Sequence, residues 1–352
     1  MKVLILGGTG AMGKYVTELM SEKNNVEIYV TSRTVHDSCR KNVHYILGNA
    51  KETIFIEKLL ETYWDAIIDF MVYSVNDFSE RIDGFLKATA QYVFVSSARV
   101  YAESEKPLTE FSDRLVDVCS DKAYLDTEEY ALFKAREEDI IFSKSNLNWT
   151  ILRPYITYDE NRFQLGAFEK EKWLFRVMSG KKILFDKHML NKKTSLTYGY
   201  DVAKRIVALI GNKKTMGEIY QIAAEEIYTW KDVLDAYSDV LRENGYILKI
   251  QYIDNIEERN FNIPRYQVIY DRKYDRVFDC RKIKDITGIK EYTDLKTGIR
   301  RCISKFLKNP SFIWIDWKTE AIMDKFTGDR QRLSKIYSGQ NIMTYIRYRY
   351  LL

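Results

Sequence analysis

Four of the chain's sixteen glycines fall within seven positions, in the run Gly7-Gly8-Thr9-Gly10-Ala11-Met12-Gly13. The run follows the apolar segment Val3-Leu4-Ile5-Leu6 and opens a stretch with helical periodicity. A glycine-rich turn between a strand and a helix lets the backbone come close to a phosphate, where the first unpaired N–H groups of the helix point. With only 16 Gly and 4 Pro in 352 residues, such a cluster stands out from the rest of the chain. Gly7, Gly10, Ala11, Met12 and Gly13 are therefore expected to hold the pyrophosphate of a dinucleotide, as in a Rossmann-type βαβ unit.

The first half of the chain supports that context. Short β-branched runs at 3–6, 26–31, 43–47, 66–70, 92–96 and 150–153 alternate with amphipathic stretches at 11–21, 54–63, 78–89 and 128–143. This alternation implies an α/β fold, a doubly wound parallel sheet covered on both faces. After Pro154 it breaks, resumes with a helix near Asp201–Ile210 and a strand near Ile219–Ile222, and then changes character. The expected organisation is a cofactor domain of residues 1–160 plus about 196–225. A smaller interleaved substrate-binding region takes 161–195 and 226–307, and a helical extension takes 308–352.

Composition removes several alternatives. With 55 Lys and Arg against 50 Asp and Glu the net charge is only +5, a weak field for phosphate-driven nucleic-acid binding. Cys39, Cys119, Cys280 and Cys302 lack metal or redox spacing, and His36, His44 and His188 are scattered, so no metal site is expected. No apolar run approaches the length of a membrane span or a signal segment. A cytoplasmic protein that binds neither membrane nor nucleic acid is expected.

The chemistry concentrates in two further segments. Val93-Phe94-Val95-Ser96-Ser97 reads as a strand that ends in hydroxyls, and downstream lies Tyr130-Ala131-Leu132-Phe133-Lys134. Tyr and Lys at i and i+4 share one helix face, and an ammonium beside a phenol favours the phenolate. Such a tyrosine can move protons, and Ser97, at the carboxyl end of a central strand, can hold the same carbonyl oxygen. Ser97, Tyr130 and Lys134 are the expected catalytic set. The second strand ends Thr31-Ser32-Arg33 without a carboxylate for a ribose 2′-hydroxyl; Ser32 and Arg33 suit a 2′-phosphate, which places NADP ahead of NAD.

Together these motifs resemble the extended short-chain dehydrogenases/reductases, within the NAD(P)-dependent epimerase/dehydratase group that acts mainly on nucleotide sugars. Further segments agree in order: Trp149–Pro154, Tyr200-Asp201-Val202-Ala203, Gly217–Ile222 and Asp294–Arg300. The resemblance implies that Asn49, where relatives carry Asp, contacts the adenine. It also implies that Met71 lines the cofactor cleft, that Tyr130 and Lys134 touch the cofactor, and that the protein is a homodimer. Ser97 is followed by Ala98-Arg99 rather than Asp-Glu, a pattern similar to epimerases and ketoreductases and unlike 4,6-dehydratases. The implied activity is Tyr-assisted hydride transfer on a sugar or nucleotide sugar, with Ser97, Arg99 and Lys193 facing the substrate. A binding protein on the same fold, for NAD(P) or RNA, is the alternative.

Overall fold

The β-branched runs pair into one parallel sheet, and the computed structural model describes residues 1–352. Its first strands and helices are β1 (Lys2–Leu6), α1 (Gly13–Ser21), β2 (Glu27–Ser32), β3 (Val43–Leu47), α2 (Thr53–Leu60), β4 (Ala66–Asp69), α3 (Val75–Lys87) and β5 (Tyr92–Val95). Short helices α4 (Leu115–Val118) and α5 (Lys122–Leu125) lead to α6 (Tyr130–Phe142) and β6 (Trp149–Pro154). With the strand Glu218–Ile222 the spatial order is β3-β2-β1-β4-β5-β6 and then that strand, all pairs parallel. Because β1, β4, β5 and β6 are buried on both faces, they read as continuous apolar runs rather than alternating ones.

Two helix starts differ by a few residues from the periodicity, and capping explains both. Ser74 Oγ accepts from Asp77 N at 3.1 Å, so α3 begins at Val75 rather than Phe78. Glu129 accepts from Ala131 N at 2.7 Å and makes Tyr130 the first residue of α6.

The chain divides into two compact units. The first comprises 1–157, 196–225 and 278–293, and the second 158–195, 226–277 and 294–352. Residues 278–293 were expected in the substrate-binding region but fold with the first unit. Gln221 Nε2 donates to the carbonyls of Leu108 and Asp279, each at 2.6 Å. Arg205 donates to those of Ile289 and Glu291 at 3.3 and 2.9 Å. These are long-range bonds from buried side chains, which no local pattern announces.

In the second unit Lys182–Asp186 pairs in parallel with Lys249–Ile253, and the helix Trp230–Glu243 starts on a Thr229/Asp232 capping box. Residues 308–352, expected as a separate extension, belong to this unit. Arg176 Nη1 lies 2.9 Å from Glu320 and 2.8 Å from Asp324, Lys181 Nζ lies 2.6 and 2.8 Å from the same pair, and all four side chains are buried. Tyr345 Oη donates to Asp324 at 2.6 Å and ties in the helix Gly339–Ile346. No helix is long and apolar enough to cross a membrane.

Candidate active site

At the carboxyl ends of β1 to β4 lies a cleft of about 360 Å³, lined by Gly7, Thr9, Gly10, Thr31–Arg33, Gly48–Lys51 and Phe70–Val72. Open α/β sheets place ligands at this end of the strands. The loop after β1 is pinned by Gly7 N, which donates to Thr31 Oγ1 at 3.0 Å. Gly7 has φ +69°, a left-handed conformation that favours glycine. A Cβ on Gly13 would stand 2.6 Å from Gly8 Cα, so close packing of α1 against the loop requires glycine there. At exposed Gly10 the nearest protein atom would be 4.0 Å away; the protein itself leaves that space open.

The expected cofactor residues divide by environment. Ser32 Oγ accepts from Thr34 N at 3.1 Å and shapes the turn after β2, which leaves Arg33 exposed and without an ion-pair partner. Asn49 Oδ1 accepts from Lys51 N at 3.1 Å, so its side chain shapes the turn after β3. Lys51 was not singled out from sequence, yet it lines the same cleft as Arg33. Met71 lines the opposite stretch, and Ala11 and Met12 follow the loop at the start of α1.

Of the residues expected to handle protons, Lys134 of α6 reaches the wall of this cleft. Lys134 is buried, donates from Nζ to the Met71 carbonyl at 3.2 Å, stands 3.0 Å from Glu137 Oε2 and sits 4.4 Å above the Phe94 ring. Tyr130, one turn earlier, is half-buried, and its hydroxyl makes no hydrogen bond within the protein. Ser97 caps the short 3₁₀ turn Ala98–Val100, its Oγ accepting from Arg99 N at 3.2 Å. The guanidinium of Arg99 lies 5.3 Å from the Tyr130 ring and pairs with Glu129. The Ser97 turn and the start of α6 are thereby brought together. Lys193 belongs to the second unit, exposed on the strand Lys193–Thr194.

Two buried carboxyls lie behind Lys134. Asp69 accepts from Met71 N and Tyr92 Oη, each at 2.8 Å, and burial raises its carboxyl above the ordinary range. Burial also pushes Glu137 up to about 7, against the lowering effect of Lys134. Glu137 was legible as a helix neighbour of Lys134 at i+3, but its burial was not.

A model of the NAD dependent epimerase/dehydratase family matches residues 3–223, and the chain belongs to that family. It is an oxidoreductase or epimerase of the extended short-chain dehydrogenase/reductase type, with the Rossmann sheet described above. Among curated proteins it is similar to the chloroplast stem-loop binding protein of 41 kDa b of Arabidopsis thaliana. Identity is 24% over 317 residues, which cover 85% of this chain and 77% of that protein. Among solved structures, UDP-glucuronic acid 4-epimerase of Bacillus cereus in complex with NAD superposes with TM-score 0.66 and 13% identity, over 88% of this chain and 99% of that one. UDP-glucose 4-epimerase of Thermus thermophilus in complex with NAD gives TM-score 0.64 and 18% identity, over 88% and 100%. At these identities the two structures establish the shared fold.

Proposed function

We propose that the protein is an NAD(P)-dependent epimerase or ketoreductase acting on a sugar, in particular a nucleotide sugar, with Ser97, Tyr130 and Lys134 as its catalytic residues. The observation that carries this reading is the bond from Lys134 Nζ to the Met71 carbonyl. It joins the helix bearing Tyr130 to the wall of the cleft at the strand ends. The open space over Gly10 and the glycine loop that leads into α1 fit a dinucleotide pyrophosphate. Gly7, Gly10, Ala11, Met12 and Gly13 would hold that group, and Met71 would line the nicotinamide side.

When bound, the dinucleotide supplies or accepts the hydride. Tyr130 Oη gives a proton to the substrate carbonyl oxygen in the reductive direction and takes it back in the oxidative one. Ser97 Oγ donates a hydrogen bond to the same oxygen and fixes its position. Lys134 contributes positive charge one helical turn from the phenol, which stabilises the phenolate left by proton transfer. An epimerase uses the same residues twice, on opposite faces of one carbon; a ketoreductase uses them once. Arg99 is a further substrate contact in this reading, although its pairing with Glu129 also gives it a part in holding the start of α6.

NADP is the favoured form of the cofactor. Arg33 and Lys51 both line the cleft, and no carboxylate lines it that could accept from a free 2′-hydroxyl. A homodimer is the assembly that the family resemblance implies, and light scattering reporting a monomer overturns it. Fluorescence titration of the purified protein with NADPH and NADH, followed by turnover assays with UDP- and dTDP-sugars, tests the reading; absence of binding to either dinucleotide overturns it.

The similarity to a stem-loop binding protein favours a second reading, a nucleic-acid-binding role on the same scaffold. Filter binding to a stem-loop RNA at two salt concentrations separates the two, because phosphate-driven affinity falls steeply with salt.

A further inference from the structure

Glu137 has no place in the mechanism above, yet it is fully buried beside the lysine that does. Its Oε1 has no hydrogen-bond partner, and the one polar contact of Oε2 is the Lys134 ammonium at 3.0 Å. Asp69, the other carboxyl behind the cleft, differs, since both of its oxygens accept hydrogen bonds. An ionised carboxyl held by a single ammonium in a dry site is costly, so the charge on Glu137 and the position of Lys134 are coupled. The lysine has three donors; one goes to the Met71 carbonyl and a second is drawn to Glu137.

We propose that Glu137 is a positioning residue that holds the Lys134 ammonium at the wall of the dinucleotide cleft, and that its ionisation weakens dinucleotide binding. This rests on the reading of Lys134 as a cofactor contact. Ionisation acts in two ways in the same direction. It engages a lysine donor that a bound ribose hydroxyl would otherwise receive, and it places a negative charge behind a cleft meant for an anionic ligand. The other charged and titratable groups around Glu137 are few. Asp69 comes from β4 and Tyr73 from the segment after it, Tyr92 from β5, and Arg81, stacked on Tyr73, from α3. Glu138, next along α6, is neutralised by Arg153 of β6. Lys134 is the cation in direct contact with Glu137. Because burial lifts the Glu137 carboxyl to about 7, the change falls between pH 6 and pH 8.

The test is the dissociation constant of NADPH, read by fluorescence at pH 6 and pH 8, for the wild-type chain, Glu137→Gln and Lys134→Met. The 2′-phosphate titrates equally in all three, so the comparison between proteins removes it. The wild type should bind several-fold more weakly at pH 8 than at pH 6 relative to Glu137→Gln. An identical pH dependence in wild type and Glu137→Gln overturns the proposal. If Lys134→Met binds as tightly as wild type, the lysine does not touch the dinucleotide and the functional reading fails instead. Should Glu137→Gln not fold, carbon NMR of the wild type labelled at glutamate Cδ decides. One carboxyl should titrate near neutrality and shift its midpoint upward in Lys134→Met; no such resonance overturns the inference.

Discussion

Arg153 grips both carboxylate oxygens of Glu138, Nε at 2.8 Å and Nη2 at 2.7 Å, with both side chains buried. The pair ties the end of β6 to the middle of α6, and Ser96 Oγ at the end of β5 donates to the same carboxylate at 2.6 Å. β5 and α6, which lead to or carry the proposed catalytic residues, are thus fixed to β6 at one point. Removing one partner of a buried pair strands the other charge, which typically costs about 3–5 kcal/mol. Glu138→Ala should therefore lower the urea midpoint sharply. A midpoint within experimental error of wild type would show that the pair does not hold these elements.

The two outer roles of the glycine loop can be separated. Gly13→Ala puts a methyl 2.6 Å from the Gly8 backbone, an overpacking that should cost about 1–3 kcal/mol in a thermal melt. Gly10→Ala meets only open space and should melt as wild type while losing NADPH affinity at least tenfold, since the methyl enters the expected phosphate position.

Arg33→Ala should weaken NADPH binding by roughly one to two orders of magnitude. A hydrogen bond to a charged group is worth about 1.5–3 kcal/mol, and Arg33 has no competing ion pair. NADH affinity should change little. Equal losses for both dinucleotides would remove Arg33 from 2′-phosphate recognition.

Tyr130→Phe keeps the ring under Arg99 and against Phe133, and should preserve stability. Loss of a positioned general acid costs about 10²–10⁴-fold in turnover. Full activity on a verified sugar substrate would show that another group moves the proton.

Stability should carry the signature of Glu137. A carboxyl raised from 4.5 to about 7 keeps its proton in the folded state after the unfolded chain has released it. Stability is therefore lost as pH rises from about 4.5 through 7. The melting temperature of wild type minus that of Glu137→Gln should fall across that interval, and a constant difference would place the ionisation elsewhere.

Much of the sheet was legible because its strands are local. Val3–Leu6, Val43–Leu47 and Tyr92–Val95 are short apolar runs bounded by breaks in pattern, and each forms a strand within a residue of its expected limits. The glycine loop could be placed because a strand, a tight turn and a helix start are all set within about a dozen residues. The i, i+4 relation of Tyr130 and Lys134 is likewise a property of one helix. Lys51, Glu129 and Glu137 were missed for the opposite reason. Their identities are ordinary, and only their neighbours across the fold give them a part.

The sequence alone determined the alternation of strands and helices, the phosphate-loop signature and the order of the residues proposed for catalysis, since each depends on short-range backbone geometry. Tertiary structure alone decided that 278–293 joins the first unit and that 308–352 is bound into the second through Arg176, Lys181, Glu320 and Asp324. It also decided that Lys134 shares its site with a buried, otherwise unpartnered carboxyl. Burial and charge pairing arise between residues far apart in the chain, so no local pattern contains them.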